Sequence, residues 1–237
     1  MIRYIFTLLS SIVLLSTYAT ERHWQTHFAY NSVTQIAVYE EEVYAIANGK
    51  LFSINQTSEE LTLYTNFSGM HGLHVVQVCT DTARQQLLLL YADGKMDIMR
   101  HHDADSKSKA QVVYVSDLYS KPITSSKRCN NITITDSIAY LAMDFGILTF
   151  NLENYSFVDC YYIGAEASEV RVEDVLLAGD SIYAKTVNGI YAAHMQDNIV
   201  DYRYWHLSND SSVVFDEQKG KVYETSDGSL WSVAGSK

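Results

Sequence analysis

Val43-Tyr44-Ala45-Ile46-Ala47-Asn48-Gly49-Lys50-Leu51-Phe52-Ser53-Ile54 reads as two apolar, strand-forming runs around an Asn-Gly pair. A two-residue type I′ turn needs φ > 0 at both central residues, and Asn-Gly satisfies that at least cost, so the stretch predicts a tight β-hairpin. The pattern recurs along the chain. Leu87–Tyr91 leads to Asp93-Gly94 and Lys95–Ile98. Ala139–Ala142 leads to Phe145-Gly146 and Ile147–Phe150. Ile182–Ala184 leads to Asn188-Gly189 and Ile190-Tyr191. Val222-Tyr223 leads to Asp227-Gly228 and Ser229–Trp231. From glycine to glycine the steps are 45, 52, 43 and 39 residues. A strand-turn-strand unit at that period is the pattern of propeller blades. The expected fold is all-β, a β-propeller of about five blade-like repeats of four-stranded antiparallel sheets.

Each repeat fills out around its hairpin. The first opens with Val33, Ile36 and Val38, turns at Glu40–Glu42 and gains an outer strand from Leu61, Leu63 and Tyr64. The second opens at Val75, Val76 and Val78 and carries a polar insertion, Arg100–Lys109, before Val112–Val115. The third runs from Ile132 and Ile134 to an outer strand at Phe157–Ile163. The fourth opens at Val170, Val172 and Val175 and ends near Tyr202–Leu207. The fifth has Val213–Phe215, Val222-Tyr223 and Leu230–Val233, with no further outer strand. The array then closes either through a strand at Glu21–Tyr30 or as part of a longer propeller, because an open array leaves an apolar face and an unpaired edge.

The 237 residues are 47% hydrophobic and 19% charged, with 18 Tyr and one Pro, a composition that favours a sheet-built core over disorder. A net charge of −11 gives no electrostatic footprint for nucleic acid, so none is expected as a partner. Met1–Ala19 has Arg3, an apolar run over Ile5–Leu15, and small residues Thr17 and Ala19 before a cleavage point. It reads as a signal peptide (1–19), followed by a propeller domain (20–237). The apolar run is short of the ~20 residues that span a bilayer, so the mature chain is expected to be exported without a membrane span.

Candidate chemistry is sparse. Cys79, Cys129 and Cys160 match no zinc spacing, and Cys79 sits in an apolar run. His101-His102 with Asp103 and Asp105 carries metal-ligand chemistry, but in a Lys/Ser-rich stretch that reads as a solvated loop. Glu166, Glu169, Glu173 and Asp174 form an acidic cluster whose separation nothing in the sequence fixes. Asn-x-Ser/Thr triplets at Asn55, Asn66, Asn131, Asn154 and Asn209 are either glycan acceptors or a by-product of turn-rich composition. No nucleophile elbow, P-loop, dinucleotide fingerprint or His-Glu-x-x-His occurs. No catalytic, metal or cofactor residue is assigned, and binding residues stay unassigned.

Trp24–Ala37, Val43–Ile54, Ala139–Ala142 with Phe145–Ile147, and Tyr161–Gly164 together resemble the N-terminal β-propeller of the PorZ family, surface proteins of the Bacteroidetes type IX secretion system. Val214–Ser232, with Asp216, Gly220 and Gly228-x-Leu230-Trp231, also resembles a two-component-regulator propeller blade. The resemblance implies a non-enzymatic envelope protein, at the outer-membrane surface or in the periplasm or extracellular space. Its implied partners are attachment-complex proteins of that system, or surface glycan and lipopolysaccharide. Family members carry two propellers and a sorting domain, so this chain reads as a fragment, a split product or a truncated relative. The alternative is a ligand-sensing propeller module of a two-component-regulator ectodomain.

Overall fold

A computed structural model describes residues 32–100, 111–224 and 230–233. The first sheet is an antiparallel meander of β1 (Val33–Tyr39), β2 (Glu42–Ala47), β3 (Lys50–Asn55) and β4 (Leu61–Tyr64). At its centre Ala47 pairs with Lys50, while Asn48 and Gly49 have φ of 50° and 73°. That is the two-residue I′ turn the sequence demands.

Three further four-stranded meanders follow. The second is β5 (Val75–Asp81), β6 (Gln86–Tyr91), β7 (Met96–Arg100) and β8 (Gln111–Val115). The third is β9 (Cys129–Thr135), β10 (Ile138–Met143), β11 (Gly146–Asn151) and β12 (Ser156–Tyr161). The fourth is β13 (Val172–Ala178), β14 (Ser181–Thr186), β15 (Gly189–His194) and the two-residue β16 (His206–Leu207). The opening strands β1, β5, β9 and β13 touch in succession, so the sheets stand around an axis as blades. The β-propeller is therefore the observed fold.

The recurring glycines do not all make the same turn. Gly94, with φ of 88°, sits in a three-residue loop, Ala92–Gly94, closed by Tyr91 N–H donating to Lys95 O at 3.0 Å. In the third and fourth blades Met143 pairs with Gly146 and Thr186 with Gly189, so the turns are Asp144-Phe145 and Val187-Asn188 and each glycine opens the following strand. A Cβ at Gly146 would overlap the Tyr161 carbonyl, so this glycine serves the close approach of β12.

Blades bury both faces, which is why strands such as β6 read as unbroken apolar runs rather than alternating ones. One face of the first blade (Ala37, Tyr44, Ile46, Leu51) meets Val75, Val78, Leu87 and Leu89 of the second. The other face of the second (Val76, Leu88, Leu90, Ile98) meets Ile132, Leu141, Leu148 and Phe150 of the third. Ala142, Ile147 and Tyr161 meet Val172, Val175, Ile182 and Ala184 of the fourth. A short helix, α1 (Asp117–Ser120), which the strand pattern does not announce, inserts Leu118 into the core between the second and third blades.

The fifth repeat departs from expectation. It is a two-stranded sheet, β17 (Val222–Glu224) and β18 (Leu230–Ser232). Val213–Phe215 is not a strand, and Val214 is 76% exposed, since no strand pairs with it among the described residues. The fifth inner position is taken by turns over Asp216–Lys221. Ile36 N–H donates to Gly220 O at 2.7 Å, and Val233 and Trp231 pack on Ile36, Ala45 and Phe52, which brings the fifth unit back to the first blade. The signal segment, the Glu21–Tyr30 strand, the insertion with His101, His102, Asp103 and Asp105, and the Asp227-Gly228 turn lie outside the described residues.

Candidate functional site

The inner strands share one irregularity. β1, β5, β9 and β13 each slip register within their first three residues, at Thr34, Val76, Asn130 and Glu173. A bulge inserts an unpaired residue and re-aims its neighbours. Here the polar residues at or beside the bulges line the axial channel: Gln35, Gln77, Asn130, Asn131 and Asp174.

These side chains sew neighbouring blades together. Gln35 Nε2 donates to Gln77 Oε1 at 2.9 Å, and Gln35 Oε1 accepts from Val78 N–H at 3.0 Å. Gln77 Nε2 donates to Asn130 O at 2.5 Å, and Asn130 Nδ2 to Val172 O at 2.8 Å. One layer below, Thr80 Oγ1 donates to Val38 O at 2.7 Å and Thr133 Oγ1 to Val175 O at 2.6 Å. Polar groups taken from water into the channel are thus paired, as burial requires.

Above this collar the channel opens into a cavity of about 430 Å³. Its charged lining is balanced: Arg128, Lys185, Lys219 and Lys221 against Glu173, Asp174, Asp216 and Glu217. Lys185 pairs with Glu217, holding the carboxyl below its ordinary value and the ammonium above its own. Lys219 Nζ stands 3.5 Å from Asp174 Oδ1. Burial pushes the Asp174 carboxyl up, against the pull of Lys219. The Arg128 guanidinium has no partner among the described residues and faces the mouth. A second cavity of about 210 Å³ lies further along the channel, lined by Gln35, Cys79, Thr80, Ile132, Lys219 and Tyr223.

The acidic cluster of the sequence divides. Glu173 and Asp174 line the mouth, Glu169 accepts from Ser125 Oγ on the outside, and Glu166 sits in a 3-10 turn with φ of 57°. The three cysteines are free. Burial raises the Cys79 thiol to about 11 and pushes Cys129 and Cys160 up as well, so none is poised as a nucleophile. Two of the Asn-x-Ser/Thr asparagines are turn formers. Asn55 Oδ1 accepts from Thr57 and Ser58 N–H, and Asn154 Oδ1 from Ser156 N–H. Asn131 lines the channel.

Away from the channel, Asp97 is fully buried and accepts from Tyr91 OH at 2.6 Å and His71 N–H at 2.8 Å, and its Oδ1 lies 2.8 Å from His71 Nδ1. The pair resembles the base and orienting acid of a triad, but no hydroxyl or thiol bonds to His71 among the described residues. Among them, no group of three His, Cys, Asp or Glu has metal-holding geometry, and no helix is long and apolar enough to cross a membrane. What the arrangement presents is a charge-balanced mouth framed by the hydrogen-bonded collar. Gln35, Gln77, Asn130, Arg128 and Lys219 escaped the sequence reading. The signal available for two of them was a Gln two residues after the Val that opens β1 and β5, repeated as Asp174 after Val172.

The family described as the N-terminal beta-propeller domain of PorZ of the type IX secretion system matches residues 43–206. PorZ of Porphyromonas gingivalis, a bacterial surface component of that system, superposes with a TM-score of 0.65 at 24% identity, over 78% of this chain and 24% of its own. The extracellular domain of BT4673 from B. thetaiotaomicron, described as a one-component system, gives a TM-score of 0.54 at 13% identity, over 90% of this chain and 27% of its own. The chain thus spans about a quarter of the length of these structures. No curated protein matches it. With four meander blades, their hairpins and the matched span in agreement, the chain belongs to the PorZ N-terminal β-propeller family.

Proposed function

We propose that this chain is a non-enzymatic, exported envelope propeller that works in type IX secretion by docking a partner at the channel mouth. The observation that carries the reading is the 430 Å³ mouth, to which residues of all five repeats contribute. Family membership supports the secretion context, and Met1–Ala19 supports export as a signal peptide. The partners proposed are attachment-complex proteins or the glycan of lipopolysaccharide. Arg128, whose guanidinium has no partner among the described residues, supplies a cation to a phosphate or carboxylate on such a glycan, and the collar amides brace the rim.

The test is binding of the purified mature chain to lipopolysaccharide and to attachment-complex proteins, measured by interferometry. Arg128→Glu is expected to weaken the interaction by about tenfold, the effect of losing one charged contact. Binding that ignores Arg128→Glu and Glu173→Lys alike would remove the mouth from the account. The match to the BT4673 ectodomain over 90% of the chain favours a second reading, a ligand-sensing module. Binding of a small ligand without any protein or lipopolysaccharide partner would select it.

A further inference from the structure

At the waist of the channel the chain places an ammonium group of its own. Lys219 lies in the turn region 216–221 that occupies the fifth inner position, where the other four are strands. It reaches across the channel. Its Nζ donates to Thr133 Oγ1 of β9 at 2.7 Å and stands 3.5 Å from Asp174 Oδ1 of β13. The Asp174 side chain is 11% exposed, and its Oδ1 also accepts from Val175 N–H at 2.8 Å. Lys219 lines both the 430 Å³ and the 210 Å³ cavities, together with Gln35 and Asn131, so its ammonium is part of the partition between them.

The junction that carries Lys219 differs from its neighbours. Buried apolar clusters join the first blade to the second, the second to the third, the third to the fourth and the fifth unit to the first. Among the described residues no such cluster joins the fourth blade to Asp216–Lys221. The links there are Lys219–Asp174 and Lys185–Glu217. An ion pair of partly exposed lysines is a weaker tie than a packed core. Withdrawing Lys219 leaves a nearly buried carboxylate with only the Val175 N–H and the more distant charge of Lys185 to compensate it, so a cation with hydrogen-bond donors is the replacement that site favours. A compact ammonium with three rotatable donors meets that need.

We propose that the waist is a binding site for a primary ammonium group, that Lys219 occupies it as an internal stand-in, and that a small primary amine entering from the mouth exchanges with Lys219 and joins the two cavities. The inference is independent of the secretion reading.

Lys219→Ala vacates the site. Its thermal midpoint is expected to rise saturably by about 3 °C with n-butylammonium chloride, relative to sodium chloride at equal ionic strength. The wild type, where the amine must displace Lys219, should respond less, and Lys219→Ala/Asp174→Asn should not respond. No rise in Lys219→Ala, or an equal rise in all three proteins, overturns the proposal. Should Lys219→Ala fail to fold, the wild type decides. With ¹⁵N-labelled lysine, the seated Lys219 ammonium is expected to give a slowly exchanging NMR signal, absent in Lys219→Met and lost on titration with cadaverine. A signal that survives both cadaverine and Asp174→Asn overturns the proposal, and so does the absence of any protected Lys219 ammonium.

Discussion

Gly49 and Gly146 both belong to repeat hairpins, yet each is required for a different reason. Gly49 needs its φ of 73°, and a Cβ there would also overlap the His74 ring. Gly146 leaves room for the Tyr161 carbonyl, which is backbone and cannot yield. Gly69 has φ of 92° but open space around it, with Val112 4.0 Å from a Cβ. Denaturant melts should therefore show Gly49→Val and Gly146→Ala costing about 2–4 kcal/mol and Gly69→Ala about 1 kcal/mol. Equal costs would refute the hairpin assignment. The thiols give a second prediction. With its pKa raised to about 11, Cys79 is roughly one-thousandth thiolate at pH 8, and Cys129 is fully buried. Both should resist iodoacetamide in the native protein and react at once in denaturant. Rapid native labelling of Cys129 would show that the core between the second and third blades is open.

At the scale of the element, burial rather than hydrophobicity decides. Leu89 in β6 is fully buried, whereas Val214 belongs to a run just as strand-prone and is exposed. Leu89→Ala should cost about 2–5 kcal/mol, and Val214→Ala should fall within about 0.5 kcal/mol of zero, as read from urea midpoints. The same contrast explains what the sequence reveals. The β1–β15 strands are legible because each meander is local: Ala47 and Lys50 need only the two residues between them to find each other. Val213–Phe215 misleads because a strand-prone apolar run also needs a neighbouring strand, and none pairs with it among the described residues. The collar is harder still. Whether Gln77 faces the axis depends on a one-residue bulge, and its partner Asn130 is 53 residues away. Lys219 is illegible locally, since its acceptors, Thr133 and Asp174, belong to two other blades.

For the whole molecule, the uneven junctions set where it opens. The ionic junction between the fourth blade and the fifth unit should loosen with salt, because partly exposed pairs are screened while apolar cores are not. Hydrogen exchange read by mass spectrometry is expected to be faster in β17 than in β6 or β10, and raising sodium chloride from 0.05 to about 0.5 M should widen that gap by several-fold. Uniform protection at both salt concentrations would mean that this junction is as strongly packed as the rest.

The local pairing inside each meander also fixes an order of events in time. A blade closes through hairpins whose loops span a few residues, so its entropy of closure is small and it can form as soon as its own four strands exist. The bond from Ile36 N–H to Gly220 O spans most of the chain and can form only after everything between has been laid down. Refolding should therefore show a fast phase for blade formation and a slower one for the return of the fifth unit. A chain threaded across a membrane from its N-terminus could then complete blade after blade on the far side while its final contact waits for the last of them.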